Sequence, residues 1–170
     1  EMQEDVKRLN TITERFSKIG SQPTLVPENL NQVLNDSIDY LKKRTSKNVE
    51  YSLDMPSEPI IANLSRPLFE WVIENLCKNA VDAMDGKGKI HVRLSSIPEG
   101  LQIDIKDTGK GIPKSKFETI FEPGYTTKNR GWGLGLSLCK RIIESYHHGK
   151  IIVLSSEVNI GSTFRITLKS

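Results

Sequence analysis

The stretch from residue 107 to residue 135 combines glycines with cations. It begins at Asp107 and has glycines at 109, 111, 124, 131, 133 and 135, with lysine or arginine at 110, 114, 116, 128 and 130. Glycine lets backbone N–H groups approach an anion closely and permits positive φ. A glycine-rich turn ahead of a helix adds the positive end of the helix dipole. The pattern indicates a phosphate site closed by a mobile loop, although an ordinary long surface loop fits the glycine content equally well.

A pair of asparagines offers a second kind of chemistry. Asn75 and Asn79 lie one turn apart in a predicted helix over residues 65–84, for which Ser65 suits the N-cap. At about 100° per residue, Asn79 falls within the apolar sector, Asn75 lies at its edge, and Asp82 continues the row. A buried amide without a partner costs about 1–3 kcal/mol. The two amides are therefore either bonded to neighbouring backbone in the core or form a polar floor for a ligand or a hard cation.

The remaining elements follow from hydrophobic periodicity. Helices are predicted over residues 1–19, 27–44, 65–84, 114–120 and 134–146, and strands over 49–53, 60–62, 90–94, 101–105, 151–154 and 163–168. This order predicts an α/β two-layer sandwich: a mixed, mostly antiparallel sheet of about five strands with about three helices on one face. The 1–19 helix has a narrow apolar stripe close to a coiled-coil seam, so it either pairs with another helix or packs on its own domain.

Composition limits the function classes. The 170 residues fit one domain of ordinary size with a short appended element. The net charge of +3 supports anion binding but is too small to indicate a nucleic-acid partner, and none is expected. Cys77 and Cys139 fall within apolar helical patterns, which predicts buried free thiols in a reducing compartment. The sequence shows no membrane span or signal peptide, and a membrane anchor elsewhere on a parent protein stays open.

The three histidines suggest no catalytic site. His91 alternates with apolar neighbours and should lie on the solvent face of a strand, while His147 and His148 end a predicted helix and complement its dipole. The sequence contains no HExxH, no paired CxxC, no nucleophile elbow and no GxxxxGK[ST] loop. The glycines at 131–135 do not follow a strand of a βαβ unit, which argues against a dinucleotide-binding fingerprint.

Four segments, taken in order, resemble the sequence boxes of one family. They are Glu74-Asn-Leu-Cys-Lys-Asn79-Ala for the N box, Asp107-Thr-Gly-Lys-Gly111 for the DxGxG box, Phe117 to Pro123 for the F box, and Gly131-Trp-Gly-Leu-Gly135-Leu for the GxGLGL box. Residues 25–170 thus resemble the ATP-binding catalytic domain of a two-component sensor histidine kinase. The wider superfamily includes type II topoisomerases, mismatch-repair ATPases and heat-shock chaperones. Residues 1–22 resemble the end of a dimerisation helical hairpin, which implies domains at 1–22 and 23–170.

The resemblance implies a site for ATP and Mg²⁺. In the family, the residue matching Asn79 helps hold Mg²⁺ between the phosphates, with the counterpart of Asn75 beside it, and the residue matching Asp107 accepts a hydrogen bond from the adenine amine. Thr163 matches a threonine that contacts adenine through water. Lys128 and Arg130 are the implied cations over the γ-phosphate and, with Asn75, the implied catalytic residues. The other implied nucleotide contacts are Asp82, Gly109, Gly111, Ile112, Thr126, Thr127, Gly131, Gly133, Leu134, Gly135 and Leu136.

One departure separates two reactions within the superfamily. Hydrolysing members carry a glutamate four residues before the metal-binding asparagine, and here that position is Asn75. An amide cannot act as a base on water, so phosphoryl transfer is expected rather than simple hydrolysis. Asp82 and the Thr126-Thr127-Lys128 run resemble the nitrogen-sensor subgroup.

The implied reaction moves the γ-phosphoryl of Mg²⁺-ATP to a histidine on the dimerisation hairpin and then to an aspartate of a response regulator. This chain is expected to lack that acceptor histidine. The expected parent is a homodimer, either cytoplasmic or the cytoplasmic part of a membrane-anchored receptor. Two alternatives are an ATP-binding regulatory module without kinase activity and a protein serine kinase of the same superfamily.

Overall fold

Seven strands form two sheets in the computed structural model, which describes residues 22–126 and 135–169. The strands are β1 (Val26–Asn29), β2 (Val49–Asp54), β3 (Ile61–Leu64), β4 (Gly88–Ile97), β5 (Gly100–Asp107), β6 (Lys150–Glu157) and β7 (Gly161–Lys169). The main sheet has five strands in the order β2-β4-β5-β7-β6. Strand β2 runs parallel to β4, and the other three pairs are antiparallel. The predicted mostly antiparallel sheet of about five strands is confirmed.

Three helices cover one face of this sheet. They are α1 (Leu30–Arg44), α2 (Arg66–Ala83) and α3 (Gly135–Lys140), which continues as a π-helical turn over Arg141–Tyr146. Side chains alternate between the two faces of a strand, so Ile103 and Ile105 of β5 join the core under α2 while Asp104 lies on the opposite face. On that face Asp104 accepts two hydrogen bonds from Arg165, at 2.8 and 2.9 Å.

The predicted start of the second helix at Pro27 is wrong. Residues Val26–Asn29 form strand β1, which pairs antiparallel with β3. The helix begins at Leu30 instead, because the Asn29 side chain caps it by accepting from the Gln32 N–H at 3.2 Å. Proline lacks an N–H donor, and a two-stranded sheet leaves one side of each strand free to tolerate it.

Two other predicted helices differ from the structure. The segment 114–120 forms two short 3₁₀ turns, Lys114–Lys116 and Thr119–Phe121. The final helix widens after Lys140, so that the His147 N–H donates to the carbonyl of Ile142, five residues earlier, at 3.1 Å.

The predicted helix over residues 1–19 lies outside the described residues. No helix within residues 22–126 and 135–169 is both long and apolar enough to cross a membrane.

Candidate functional site

Helix α2 carries a row of polar side chains, Asn75, Asn79 and Asp82, which we call the polar row. Asn75 and Asn79 are half-buried and Asp82 is exposed. The Asn79 Nδ2 donates to Asn75 Oδ1 at 3.4 Å, so each amide has the other as a partner. The predicted apolar stripe of α2 is buried as expected: Leu68, Phe69, Val72, Ile73, Leu76, Ala80 and Met84. The polar row therefore lies at the margin of the core, where a ligand can reach it.

Helix α3 packs directly on Asn75. A Cβ atom placed on Gly135 would lie 2.9 Å from Asn75 Oδ1 and 3.0 Å from Nδ2, closer than side chains approach one another. One turn further on, the Cys139 thiol donates to Asn75 Oδ1 with an Sγ–Oδ1 distance of 3.6 Å. Leu136 is half-buried against the core. Gly135 thus allows α3 to meet α2 at the polar row, which is a packing reason for a glycine that the sequence linked only to the nucleotide.

The Asp107 carboxylate ends strand β5 and is only 4% exposed. Its Oδ1 accepts from the Gly109 N–H at 2.8 Å, and the Ser162 N–H is a second backbone donor. Burial raises the pKa of Asp107 above its usual range, and the two N–H donors oppose that shift. An acidic group buried in this way is costly to keep charged, which suggests a functional role for Asp107.

The Asp107 loop is fastened to the end of α2. The Lys110 N–H donates to the Ala83 carbonyl at 2.9 Å, and a Cβ on Gly109 would lie 2.8 Å from the same carbonyl oxygen. Gly111 has φ +75°, and a Cβ there would lie 2.3 Å from the backbone oxygen of Glu157. These glycines let the loop fit between α2 and the β6–β7 turn. The same packing places the loop that follows Asp107 against Ala83, which directly follows Asp82, the last member of the polar row.

Strand β7 places one hydroxyl differently from the prediction. Alternation puts Thr163 on the face of the sheet away from the helices, in register with Lys106. Its neighbour Ser162 is 5% exposed and shares the helix-side face with Asp107. The sequence could have predicted the position of Ser162, because residues two apart in a strand lie on the same face and Phe164 is apolar.

The Ser162 hydroxyl is also linked, through Ser156, to the backbone of the Asp107 loop. Its Oγ hydrogen-bonds Ser156 Oγ at 2.8 Å, and Ser156 Oγ accepts from the Ile112 N–H at 2.6 Å. This short chain links two of the strands to the loop that follows Asp107.

The predicted site residues fall into three groups. Asn75, Asn79, Asp82, Asp107, Gly109, Gly111, Ile112, Gly135 and Leu136 belong to the connected region just described. Thr126 is exposed and Thr163 lies on the other face of the sheet. Thr127, Lys128, Arg130, Gly131, Gly133 and Leu134 lie outside the described residues.

The larger of two surface depressions in the described part of the chain does not lie at the site formed by the polar row and the Asp107 loop. A surface depression of about 690 Å³ lies beside edge strand β2 and is lined by Lys42, Lys47, Tyr51 and other residues, none from the predicted site. Three of its eight lining residues are lysines, and none of the eight is a buried polar residue.

The cysteines are buried and free, as predicted. Burial raises the pKa of Cys77 to about 12 and also raises the pKa of Cys139, so both remain thiols at neutral pH.

The expectation for His147 is wrong. Its ring is 6% exposed, Nδ1 donates to the Ile142 carbonyl at 2.9 Å, and Nε2 accepts from the Ser65 N–H at 3.1 Å. Burial lowers the pKa of His147, so the ring is neutral and adds no charge at a helix end. Instead it joins the end of the last helix to the N-cap of α2. His91 does lie on the solvent side and hydrogen-bonds Ser52.

Comparison with known proteins decides the family. The model of the family described as histidine kinase-, DNA gyrase B-, and HSP90-like ATPase matches residues 65–170, which include α2, the Asp107 loop and α3. The chain belongs to this family. Within it, sporulation kinase E of Bacillus subtilis (strain 168) is 34% identical over 170 residues, covering 96% of this chain.

Solved structures agree. The nucleotide-free catalytic domain of histidine kinase ThkA superposes with a TM-score of 0.78 at 29% identity, covering 86% of this chain and 96% of that one. ThkA in complex with the response regulator protein TrrA gives a TM-score of 0.73 at 26% identity, covering 98% of this chain and 49% of that one. The chain is therefore an ATP-binding catalytic domain of the sensor histidine kinase type. It spans between 20% and 33% of the length of three curated relatives.

Proposed function

We propose that this domain binds ATP as its Mg²⁺ complex and transfers the γ-phosphoryl group to a histidine on a dimerisation hairpin. The parent would be a homodimer that passes the phosphoryl group to a response-regulator aspartate, with this domain in the cytoplasm, either free or as part of a membrane-anchored receptor. The observation that carries the proposal is the junction of the buried Asp107 with the polar row of α2. That junction offers one end suited to an adenine amine and another suited to a cation and phosphates.

Asp107 is the proposed adenine contact. A carboxylate held by the Gly109 and Ser162 N–H groups still has lone pairs to accept from an exocyclic amine. An adenine amine is a donor and the matching guanine oxygen is an acceptor, so the carboxylate favours adenine. Ser162, on the face that carries Asp107, replaces Thr163 as the better placed hydroxyl for a water-mediated contact.

The polar row fits Mg²⁺ by the chemistry of its donors. Amide carbonyl oxygens are hard ligands, and Mg²⁺ usually takes few protein ligands because phosphates and waters complete its octahedron. Asn79 would hold the ion, and Asn75 and Asp82 are its neighbours on α2, four positions before it and three positions after it. When bound, the ion would neutralise charge on the phosphates.

Transfer is proposed over hydrolysis because Asn75 occupies the position of the hydrolytic base. The neighbouring Glu74 is 7% exposed and is rotated by about 100° from Asn75 around α2, away from the polar row. Positioning and charge stabilisation are then the main tasks of the domain. Lys128 and Arg130 are the proposed cations over the γ-phosphate.

The partner assignment extends the proposal to residues 1–22, as the end of the hairpin, with 23–170 as the catalytic domain. Support comes from the structure of ThkA in complex with a response regulator, because its alignment covers 98% of this chain.

Incubating the chain with Mg²⁺, γ-labelled ATP and a hairpin fragment of the parent that carries its acceptor histidine tests the reaction. The expected label on the hairpin is acid-labile and base-stable, as for phosphohistidine, and is lost with Asn79→Ala. Label that survives acid would indicate a hydroxyl acceptor and a serine kinase. Tight ATP binding without transfer would indicate a regulatory module, and either result contradicts the proposal.

A further inference from the structure

Two hydrogen-bond donors converge on one atom of the polar row. The Cys139 thiol of α3 and the Asn79 Nδ2 of α2 both point to Asn75 Oδ1, at 3.6 and 3.4 Å. A carbonyl oxygen has two lone pairs, so two donors satisfy it fully. Both contacts favour the orientation of the Asn75 amide that turns Oδ1 toward Cys139 and Asn79.

The orientation of Asn79 follows from that of Asn75. Because the Asn79 Nδ2 faces Asn75, its Oδ1 lies on the other side of the amide group, away from Asn75. This is the atom that a cation would bind. If the Asn75 amide were reversed, its NH₂ group would meet the NH₂ group of Asn79, and the Asn79 amide would turn its own Oδ1 toward Asn75 instead.

The close approach of Gly135 further restricts the side chain of Asn75. The missing Cβ of Gly135 leaves α3 within contact distance of both amide atoms of Asn75. Gly135 and Cys139 are one turn apart on α3, so a single face of that helix both confines the Asn75 amide and supplies it with a donor. A carbon side chain at position 139 would fill the space but could not choose between the two amide orientations.

We infer that Cys139 is a positioning residue: its thiol sets the Asn75 amide, which turns the Asn79 carbonyl oxygen toward the Mg²⁺ of bound ATP. The inference rests on the proposed function, because it assigns the support of the cation-binding amide. It gives Cys139 a role that burial alone does not require, since a buried cysteine otherwise behaves as a small apolar residue.

Cys77 supplies the matched control. It is also fully buried and also a free thiol, and it lies on α2 itself. It lies two positions after Asn75, so it projects about 200° around the helix, away from the polar row. Replacing either cysteine by alanine removes the same sulfur atom from the core, but only Cys139→Ala removes a donor from Asn75.

The experiment measures the dissociation constant for ATP with excess Mg²⁺ and again with EDTA, for the unaltered chain, Cys139→Ala, Cys139→Ser and Cys77→Ala. Cys139→Ala is expected to weaken binding with Mg²⁺ by about three- to tenfold and to leave binding with EDTA unchanged. Cys139→Ser keeps a donor and should restore most of the loss. Cys77→Ala should show the same ratio between the dissociation constants with Mg²⁺ and with EDTA as the unaltered chain, at a temperature at which both are folded.

The side-chain NH₂ resonances of Asn75 and Asn79 in the nucleotide-free protein give a readout independent of binding. They should shift in Cys139→Ala, return toward their original positions in Cys139→Ser, and stay in place in Cys77→Ala. Equal effects of the two alanine variants, or equal Mg²⁺ dependence in Cys139→Ala and the unaltered chain, would overturn the inference.

Failure of the inference is distinguishable from failure of the proposed function. If Asn79→Ala loses the Mg²⁺-dependent part of the affinity and Cys139→Ala keeps it, only the role of Cys139 is wrong. If the unaltered chain binds ATP equally with Mg²⁺ and with EDTA, the cation site and its support are both wrong.

Discussion

A buried titratable side chain from another segment lies near each end of helix α2, and the two differ in how completely their hydrogen-bonding capacity is used. At the start, His147 uses both ring nitrogens, one on the Ser65 N–H and one on the Ile142 carbonyl. At the end, Asp107 accepts from backbone N–H groups and keeps acceptor capacity in reserve. Burial moves both pKa values toward the neutral form, lowering that of His147 and raising that of Asp107.

The difference separates structure from function. His147 is neutral, fully bonded and enclosed, so it stabilises the fold and has nothing left to offer a ligand. Asp107 must stay charged to accept from an amine, and burying that charge costs stability that its two N–H donors only partly recover. A group that the fold keeps at a cost is the better candidate for chemistry.

The largest expected effect is the loss of nucleotide binding when Asp107 is altered. Asp107→Ala removes a hydrogen bond to a charged acceptor, so ATP affinity should fall about ten- to a hundredfold in calorimetric titration. Asp104→Ala is the matched control, because it removes a carboxylate from the same strand on the opposite face. If both variants bind ATP as the unaltered chain does, the two ends of α2 do not differ in function.

The next effect is on stability. His147→Ala leaves the Ser65 N–H and the Ile142 carbonyl without their partner, so the free energy of unfolding should drop by on the order of 1 to 3 kcal/mol in urea titration at pH 7.5. His148 is exposed and has φ +55°, so His148→Asn, which suits that backbone, is the control and should change little. ATP affinity should be unchanged in both variants, and a loss in His147→Ala would contradict the purely structural role.

The pH dependence of stability should have opposite signs at the two ends. The pKa of His147 is lower in the fold than the ordinary 6.5, so the unfolded chain takes up this proton at a higher pH than the folded chain does. The contribution of His147 to the free energy of unfolding is therefore fully present above pH 6.5 and declines as the pH falls below it. The pKa of Asp107 is raised in the fold, so its contribution to the free energy of unfolding becomes more favourable as the pH falls through that raised value. Unfolding titrations between pH 7.5 and 4.5 for the unaltered chain, His147→Gln and Asp107→Asn would separate the two.

The pH dependence of nucleotide affinity should reflect the protonation of Asp107 and not that of His147. Protonation removes its acceptor function, so ATP binding should weaken as the pH falls toward the raised pKa of Asp107, at higher pH than an ordinary carboxyl with a pKa of 3.8 would allow. The same weakening in His147→Gln would show that His147 does not contribute, and its disappearance there would refute the assignment.

The smallest effect is expected away from α2. Arg165 pairs with Asp104 on the far face of the sheet, and partly exposed ion pairs contribute little. Arg165→Ala should lower the free energy of unfolding by about 0.5 to 1 kcal/mol, less so in high salt, without changing ATP affinity. A larger effect on binding would mean that the far face takes part in the site.

Much of this organisation is readable from the chain. The alternation in β4, β5 and β7 and the apolar stripe of α2 predict the sheet, its covered face and the core, because burial periods of two and 3.6 are local properties of the sequence. The order of the polar boxes likewise indicates the family and the type of ligand. The polar row was recognisable as an anomaly, since amides seldom lie beside an apolar stripe without a partner.

Other features depend on residues distant in sequence. The helix starting at Leu30 rather than Pro27 depends on the pairing of β1 with β3, which lie more than 30 residues apart in the chain. The partners of His147 are 82 residues away at Ser65 and five away at Ile142, and no local pattern predicts such a pair.

By itself the sequence determined the main strands and helices, the covered face of the sheet and the residue types of the site, because these depend on local periodicity and on the side chains' own chemistry. Only the tertiary structure decided which polar groups meet. The contacts of Asn75 with Gly135 and Cys139, of Gly109 with Ala83, and of His147 with Ser65 each require two segments to pack at van der Waals distance. Packing at that distance is a property of the whole core, and it divides buried polar groups into those that hold the fold and those that remain able to bind.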